Sequence, residues 1–378
     1  MRIDYEKRIF GLDLMRAIAI IMVMCSHTLW IVPEMRGITR KLFSVWGILG
    51  VDVFFVLSGF LIGRILYKMY VSSEFTFKDV TYFWVRRWFR TLPNYYLTLF
   101  INILVFIYIG HQLPDKLWKY GFFLHNFSTE LPWFYPESWS LSVEEFAYIL
   151  GPLVLYLVLF FRKTTSRPRL FLEVTLSILV LFIISKLMYN HEETVRHMRH
   201  WTLNVKSIVI YRIDAIYYGV LAAYVSVVKP KFWHNIRYVA CAFGVLTLIS
   251  MNFLIPIKGW FITDYPQFWN VWYFIIKSLA IACTLPLLSI IKSAPKSIRI
   301  PITYISVLSY AIYVFHYSII MQLMKYLIPS EPMEGLDLVI YLLVYVLITF
   351  VVSYMVYRLY EKPMTDLRDS STIKKYFK

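Results

Sequence analysis

Apolar runs of membrane-spanning length recur from Leu14 almost to the C-terminus, joined by connections too short to fold as a soluble domain. In a bilayer the backbone N–H and C=O groups find no water, so each run must satisfy them internally, as an α-helix does. This predicts an all-α, polytopic integral membrane protein, with residues 1–378 forming one transmembrane domain. About ten helices are expected, near 12–32, 43–67, 87–109, 139–161, 171–188, 206–228, 238–257, 269–291, 302–327 and 336–360, with a short tail over 361–378. Hydrophobic residues make up 59% of the chain, against about half in a soluble globular protein. The first apolar run is too long for a signal peptide and reaches Trp30-Ile-Val-Pro33 with no small-residue cleavage site, so no cleaved leader is expected. Cys25, Cys241 and Cys283 all fall inside predicted spans and imply neither a disulfide framework nor a metal site.

The net charge of +16 does not point to nucleic acid, because the Lys and Arg residues sit in short loops rather than among aromatics on one exposed face. They instead follow the membrane-orientation rule. Counted over alternate connections, one side carries 25 and the other 11. That bias puts both termini in the cytoplasm, and an even number of spans agrees with it.

Charges inside spans are expensive unless they face a partner or a wet cavity, so they mark candidate functional sites. Arg16 and His27 share the first helix, and eleven residues separate them by roughly 16 Å along its axis. The orientation places Arg16 near the cytoplasm, with Arg87 and Arg90 below it on one helix face at i, i+3. Lipid-headgroup anchoring is the plain reading of such a basic cluster on its own. The same orientation places His27, Asp52, Glu144, Glu145 and His316 in the outer half. Glu144 and Glu145 are adjacent and point in different directions, so one at most faces a given cavity easily. Arg212 and Asp214, in the outer part of the sixth helix, read most plainly as a structural ion pair; Glu361 closes the tenth helix on the inside. There is no internal repeat, and no matched pair of broken helices of the kind that marks an inverted-repeat transporter.

A basic cluster at one membrane face and a histidine deeper in the bilayer suit a donor with a phosphorylated head and a long thin arm. Arginine binds phosphate through a planar fork that stays charged when partly dehydrated. A histidine beside a carboxylate is suited to taking a proton from a hydroxyl. Coenzyme A has both the phosphates and the arm, and this arrangement would transfer an acyl group from it to an alcohol.

Six motifs in order also resemble the membrane acyltransferase-3 family. They are Arg16-x10-His27; the Gly-Val-Asp-Val-Phe-Phe-Val-Leu-Ser-Gly run from Gly50; Arg87-x-x-Arg90 followed by Pro93; Trp139-Ser-Leu-Ser-Val-Glu-Glu145; Ser309-Tyr-Ala-Ile-Tyr-Val-Phe-His316; and Glu361-Lys-Pro363. The resemblance implies about ten transmembrane helices in a bacterial inner membrane. It also implies O-acylation, usually O-acetylation, of a lipid-linked or cell-surface polysaccharide such as O-antigen, exopolysaccharide or capsule. The implied donor is acetyl-CoA or another acyl-CoA, without a metal, and the short tail implies a member lacking a hydrolase-like C-terminal domain. His27 matches the family's essential histidine, Arg16, Arg87 and Arg90 match its donor-binding motifs, and Asp52 and Glu144 match polar positions near the reaction centre. His316 matches a position to which no role is assigned. The expected mechanism has His27, oriented by Asp52 or Glu144, deprotonating a sugar hydroxyl; an acyl-His27 intermediate is a second route open to the same residues. The alternative reading is a polytopic exporter of a glycan or small anion, with the same charges lining its path.

Overall fold

The computed structural model describes residues 5–6, 8–72, 74–162, 166–193, 197–331 and 333–370. Residues 1–4 of the expected domain and 371–378 of the expected tail lie outside them. The described residues form helices and turns and no strand, in agreement with the all-α expectation. The principal helices are α1 (Phe10–His27), α2 (Gly37–Val71), α3 (Phe77–Tyr108), α4 (Trp139–Phe161), α5 (Arg167–Glu192), α6 (Asp214–Val228), α7 (Arg237–Ile257), α8 (Tyr273–Leu288), α9 (Lys296–Phe315) and α10 (Gly335–Val356).

Among the described residues, nine helices are long and apolar enough to cross a membrane; α6, at 15 residues, is the shorter tenth. At ~1.5 Å per residue α6 is roughly 22 Å long, short of a ~30 Å hydrocarbon core. The expected helix over 206–228 therefore begins later than predicted. A π turn at Thr202–Lys206 and a 3₁₀ turn at Val209–Tyr211 replace its first part. Their backbone is satisfied from the 126–131 connection. Val209 N–H donates to the Asn126 carbonyl at 3.0 Å, Asn126 Nδ2 donates to the Ser207 carbonyl at 2.6 Å, and Leu131 N–H donates to the Leu203 carbonyl at 3.2 Å. Irregular backbone is tolerated in a membrane protein where protein, rather than lipid, surrounds it.

The centre of the molecule is α2, which packs most extensively against α6 and then α1. Glycine makes the first of these contacts possible. A Cβ at Gly59 would overlap the Ile216 carbonyl, and one at Gly219 would overlap the Val56 carbonyl, so the two backbones approach as closely as small-residue interfaces allow. By contrast α7 and α10 lie at the periphery, with Val239 76% and Leu336 72% exposed, as lipid-facing side chains are. The helix α3 starts ten residues before Arg87, where Thr76 and Asp79 form a capping box. Arg87 and Arg90 thus stand within a helix instead of at a loop end.

Candidate active site

Two cavities lie at the two ends of α1. The first, about 120 Å³, is lined by Arg16, Arg87 and Arg90 together with Glu144. Arg16 is anchored from its own helix by Asp13 at 3.6 Å, and Asp13 also takes a 2.8 Å hydrogen bond from Arg8 Nε. The Arg87 guanidinium lies over the Tyr148 ring at 5.9 Å, and the Tyr148 hydroxyl is hydrogen-bonded to Ser58 across the cavity wall. Three arginines facing one carboxylate leave this cavity positive, which suits phosphate.

The second cavity, about 530 Å³, contains His27 and falls within the ~300–1,000 Å³ usual for ligand pockets. Trp30, Trp133 and Trp139 line it with Arg199 and Lys206. Val51 and Tyr313 line both cavities and form the partition between them. The Tyr313 hydroxyl is held in that wall by Ser140, at 2.7 Å, and by the Glu137 carbonyl, to which it donates at 3.1 Å.

The side chain that meets His27 is His316, not Asp52 or Glu144 as the sequence led us to expect. His27 Nδ1 lies 2.7 Å from His316 Nε2. On its far side His316 Nδ1 lies 2.9 Å from the carbonyls of both Ile312 and Tyr313. The helix passes from α into π geometry at His316, and such a switch shifts the backbone donors and opens the ladder at that turn. Carbonyl oxygens only accept, so His316 Nδ1 carries the proton and its Nε2 holds a lone pair. His27 Nδ1 must then be the donor, which leaves His27 Nε2 as the basic nitrogen. Tyr317 packs against the His27 ring in a tilted contact, with centroids 4.5 Å apart and planes 35° from parallel, and restricts its orientation.

The other predicted residues are distributed as follows. Asp52 is fully buried and bound by Arg212, with Lys277 Nζ 3.2 Å away. Asp214 pairs with Lys186, so Arg212 and Asp214 do not form the expected ion pair with each other: each reaches a different helix. Glu144 and Glu145 diverge as adjacent helical residues must. Glu144 faces the arginines, while Glu145 accepts from the Thr91 hydroxyl at 2.7 Å. Glu361 accepts from Asn94 Nδ2 at 2.9 Å, bracing the π turn over Tyr357–Glu361, which follows α10, against α3. Residues not singled out from sequence are Glu137, Lys186, Lys206, Lys277 and Tyr313. For Lys186 and Lys277 the signal was present, since a lysine inside an apolar run is itself unusual. Glu137 lines the His27 cavity and accepts from Ser318 N–H at 3.1 Å and from the Ser318 hydroxyl.

A family model described as the acyltransferase domain matches residues 9–358, nearly the whole chain. The chain belongs to that family. This acyltransferase-family chain is 27% identical over 188 residues to the peptidoglycan O-acetyltransferase OatA of Listeria monocytogenes, a match covering 46% of this chain and 28% of OatA. It is 29% identical over 204 residues to YrhL of Bacillus subtilis, covering 49% of this chain and 29% of YrhL. The chain thus spans less than a third of the length of either relative. No solved structure is a significant match.

Proposed function

We propose that this chain is an O-acetyltransferase that moves an acetyl group from a coenzyme A thioester, held at the arginine cavity, to a carbohydrate hydroxyl presented at His27. The observation that carries this reading is the shared wall: Val51 and Tyr313 line both cavities, so these two side chains are what separates a group bound at one end of α1 from a group bound at the other, and their displacement would bring the two together. A positive cavity on one side and an aromatic cavity on the other suit a phosphorylated donor and a sugar acceptor.

In this mechanism Arg16, Arg87 and Arg90 hold the donor phosphates and aim its arm toward the partition. The aromatic walls position the sugar. His27 Nε2 takes the hydroxyl proton as the oxygen bonds to the thioester carbonyl carbon, and gives it to the departing thiolate as the C–S bond breaks. His316 receives the His27 Nδ1–H hydrogen bond and steadies the imidazolium while it lasts. Positioning two reactants against one thin wall supplies much of the rate.

The relative OatA acts on peptidoglycan by name, and a lipid-linked or cell-surface glycan is the acceptor class we propose here, with the protein in the bacterial inner membrane. The test is transfer of labelled acetyl from acetyl-CoA to membrane glycans by the intact chain and by His27→Ala at matched expression. Loss of the base is expected to lower transfer about 10²- to 10⁴-fold. Equal transfer by both proteins would overturn the mechanism. Export of a glycan without acetylation would favour the transporter reading instead.

A further inference from the structure

The charges around the His27 cavity do not balance. Arg199, Lys206, Arg212 and Lys277 are cations, and Asp52 and Glu137 are the anions that accompany them. The Lys186–Asp214 pair next to them is neutral by itself. Lys206 lines the cavity with its ammonium 5.1 Å from the centre of the Trp139 ring, and it forms no ion pair among the described residues. Its electrostatic neighbours are Arg212, Lys277 and Asp52, with His27 also in reach. Arg199 stands at the exposed rim, 5.2 Å from the Trp133 ring, likewise without a carboxylate partner among the described residues. Behind them Arg212 is fully buried, and its Nε and Nη1 have no hydrogen-bond partner among the described residues.

Unpaired charge in a desolvated place is costly, and an incoming anion relieves the cost. The exposed Trp133 ring beside the Arg199 head offers a sugar ring a stacking surface at the same time. We propose that the His27 cavity is a binding site for a glycan bearing an anionic oxygen group, a carboxylate or a phosphate, with Lys206 as its principal contact and Arg199 as the second. The charged group sets the register of the sugar on Trp133, and so selects which hydroxyl reaches His27. That the ligand is the acyl acceptor rests on the acyltransferase reading; the anion site itself does not.

The experiment measures binding without donor. The full chain in lipid nanodiscs is titrated with a uronic-acid tetrasaccharide and its carboxyl-reduced neutral counterpart, and with glucose 6-phosphate and glucose. The expected result is about tenfold tighter binding of the charged member of at least one pair. The pair that shows it identifies the group. The preference is expected to vanish in Lys206→Gln, to persist in Lys206→Arg, and to weaken as salt screens the site. The Arg variant also guards against a folding defect in the Gln variant. Equal binding of charged and neutral members, no binding of any probe at millimolar concentration, or a preference that survives Lys206→Gln would overturn the proposal. Acetyl transfer from acetyl-CoA is read in the same discs. A charge preference without transfer leaves the anion site standing and removes the acyltransferase reading; transfer to neutral probes with no preference does the reverse.

Discussion

At the scale of single residues, the most consequential feature is that His27 leans on another histidine. A second imidazole whose Nδ1 faces two carbonyls can only accept at Nε2, so it sets the His27 tautomer as a carboxylate would, without adding a negative charge. We expect His316→Phe to lower kcat for acetyl transfer about 10- to 100-fold with little change in the KM for acetyl-CoA. In His316→Asn the amide oxygen can take over as acceptor, and part of the rate is expected to return. A structural role alone would move KM and expression together and would show no such rescue. On the donor side, Arg87→Ala removes a charge-assisted hydrogen bond worth about 1.5–3 kcal/mol, and the KM for acetyl-CoA is expected to rise roughly 10- to 100-fold, less for Arg87→Lys. His27 and Arg16 could be picked out from sequence because charge inside an apolar run is conspicuous, and Arg87 and Arg90 because their i, i+3 spacing puts them on one helix face. The partners of Asp52 could not, since Arg212 and Lys277 are 160 and 225 positions away and any of several cations could have met it.

Among the elements, the junction of α2 and α6 decides whether the site assembles. It brings Asp52 of α2 to Arg212, just ahead of α6, and it depends on Gly59 and Gly219 admitting a neighbouring carbonyl. Overpacking of this kind is worth about 1–3 kcal/mol or more where backbone is the obstacle. Gly219→Val is therefore expected to lower the detergent-solubilised melting temperature by several degrees and to reduce yield. Gly121→Ala, where a Cβ meets nothing within 4 Å, is the control expected to melt like the parent. The late start of α6 has a different origin. The segment before it carries Lys206 and Arg212 and hydrogen-bonds to the 126–131 connection, so its backbone need not be helical to be satisfied. Hydropathy alone extends the apolar pattern through this segment, because periodicity reports which face is apolar and not where a helix finds other partners.

At the scale of the molecule, the nine long helices among the described residues and α6 together determine how the chain is threaded. If α6 crosses, the count is even and both termini share a side; its burial against α2 lets a short helix cross without meeting the full thickness of lipid. With 25 basic residues on that side against 11 on the other, we expect it to be the cytoplasmic one. Fluorescent-protein fusions after Val71 and at the C-terminus are expected to fluoresce, and alkaline phosphatase at the same points to stay inactive; a phosphatase-active C-terminal fusion would mean that α6 does not cross. What the sequence determined by itself is the class of fold, the approximate spans and the most conspicuous charges, because length, hydropathy and intramembrane charge are local properties that each segment carries alone. What only the tertiary structure decided is which of those charges meet. His27 turns to His316, Asp52 to Arg212 and Glu144 to the arginines because pairings across hundreds of residues are set by helix packing, and one helix face carries no record of its neighbour.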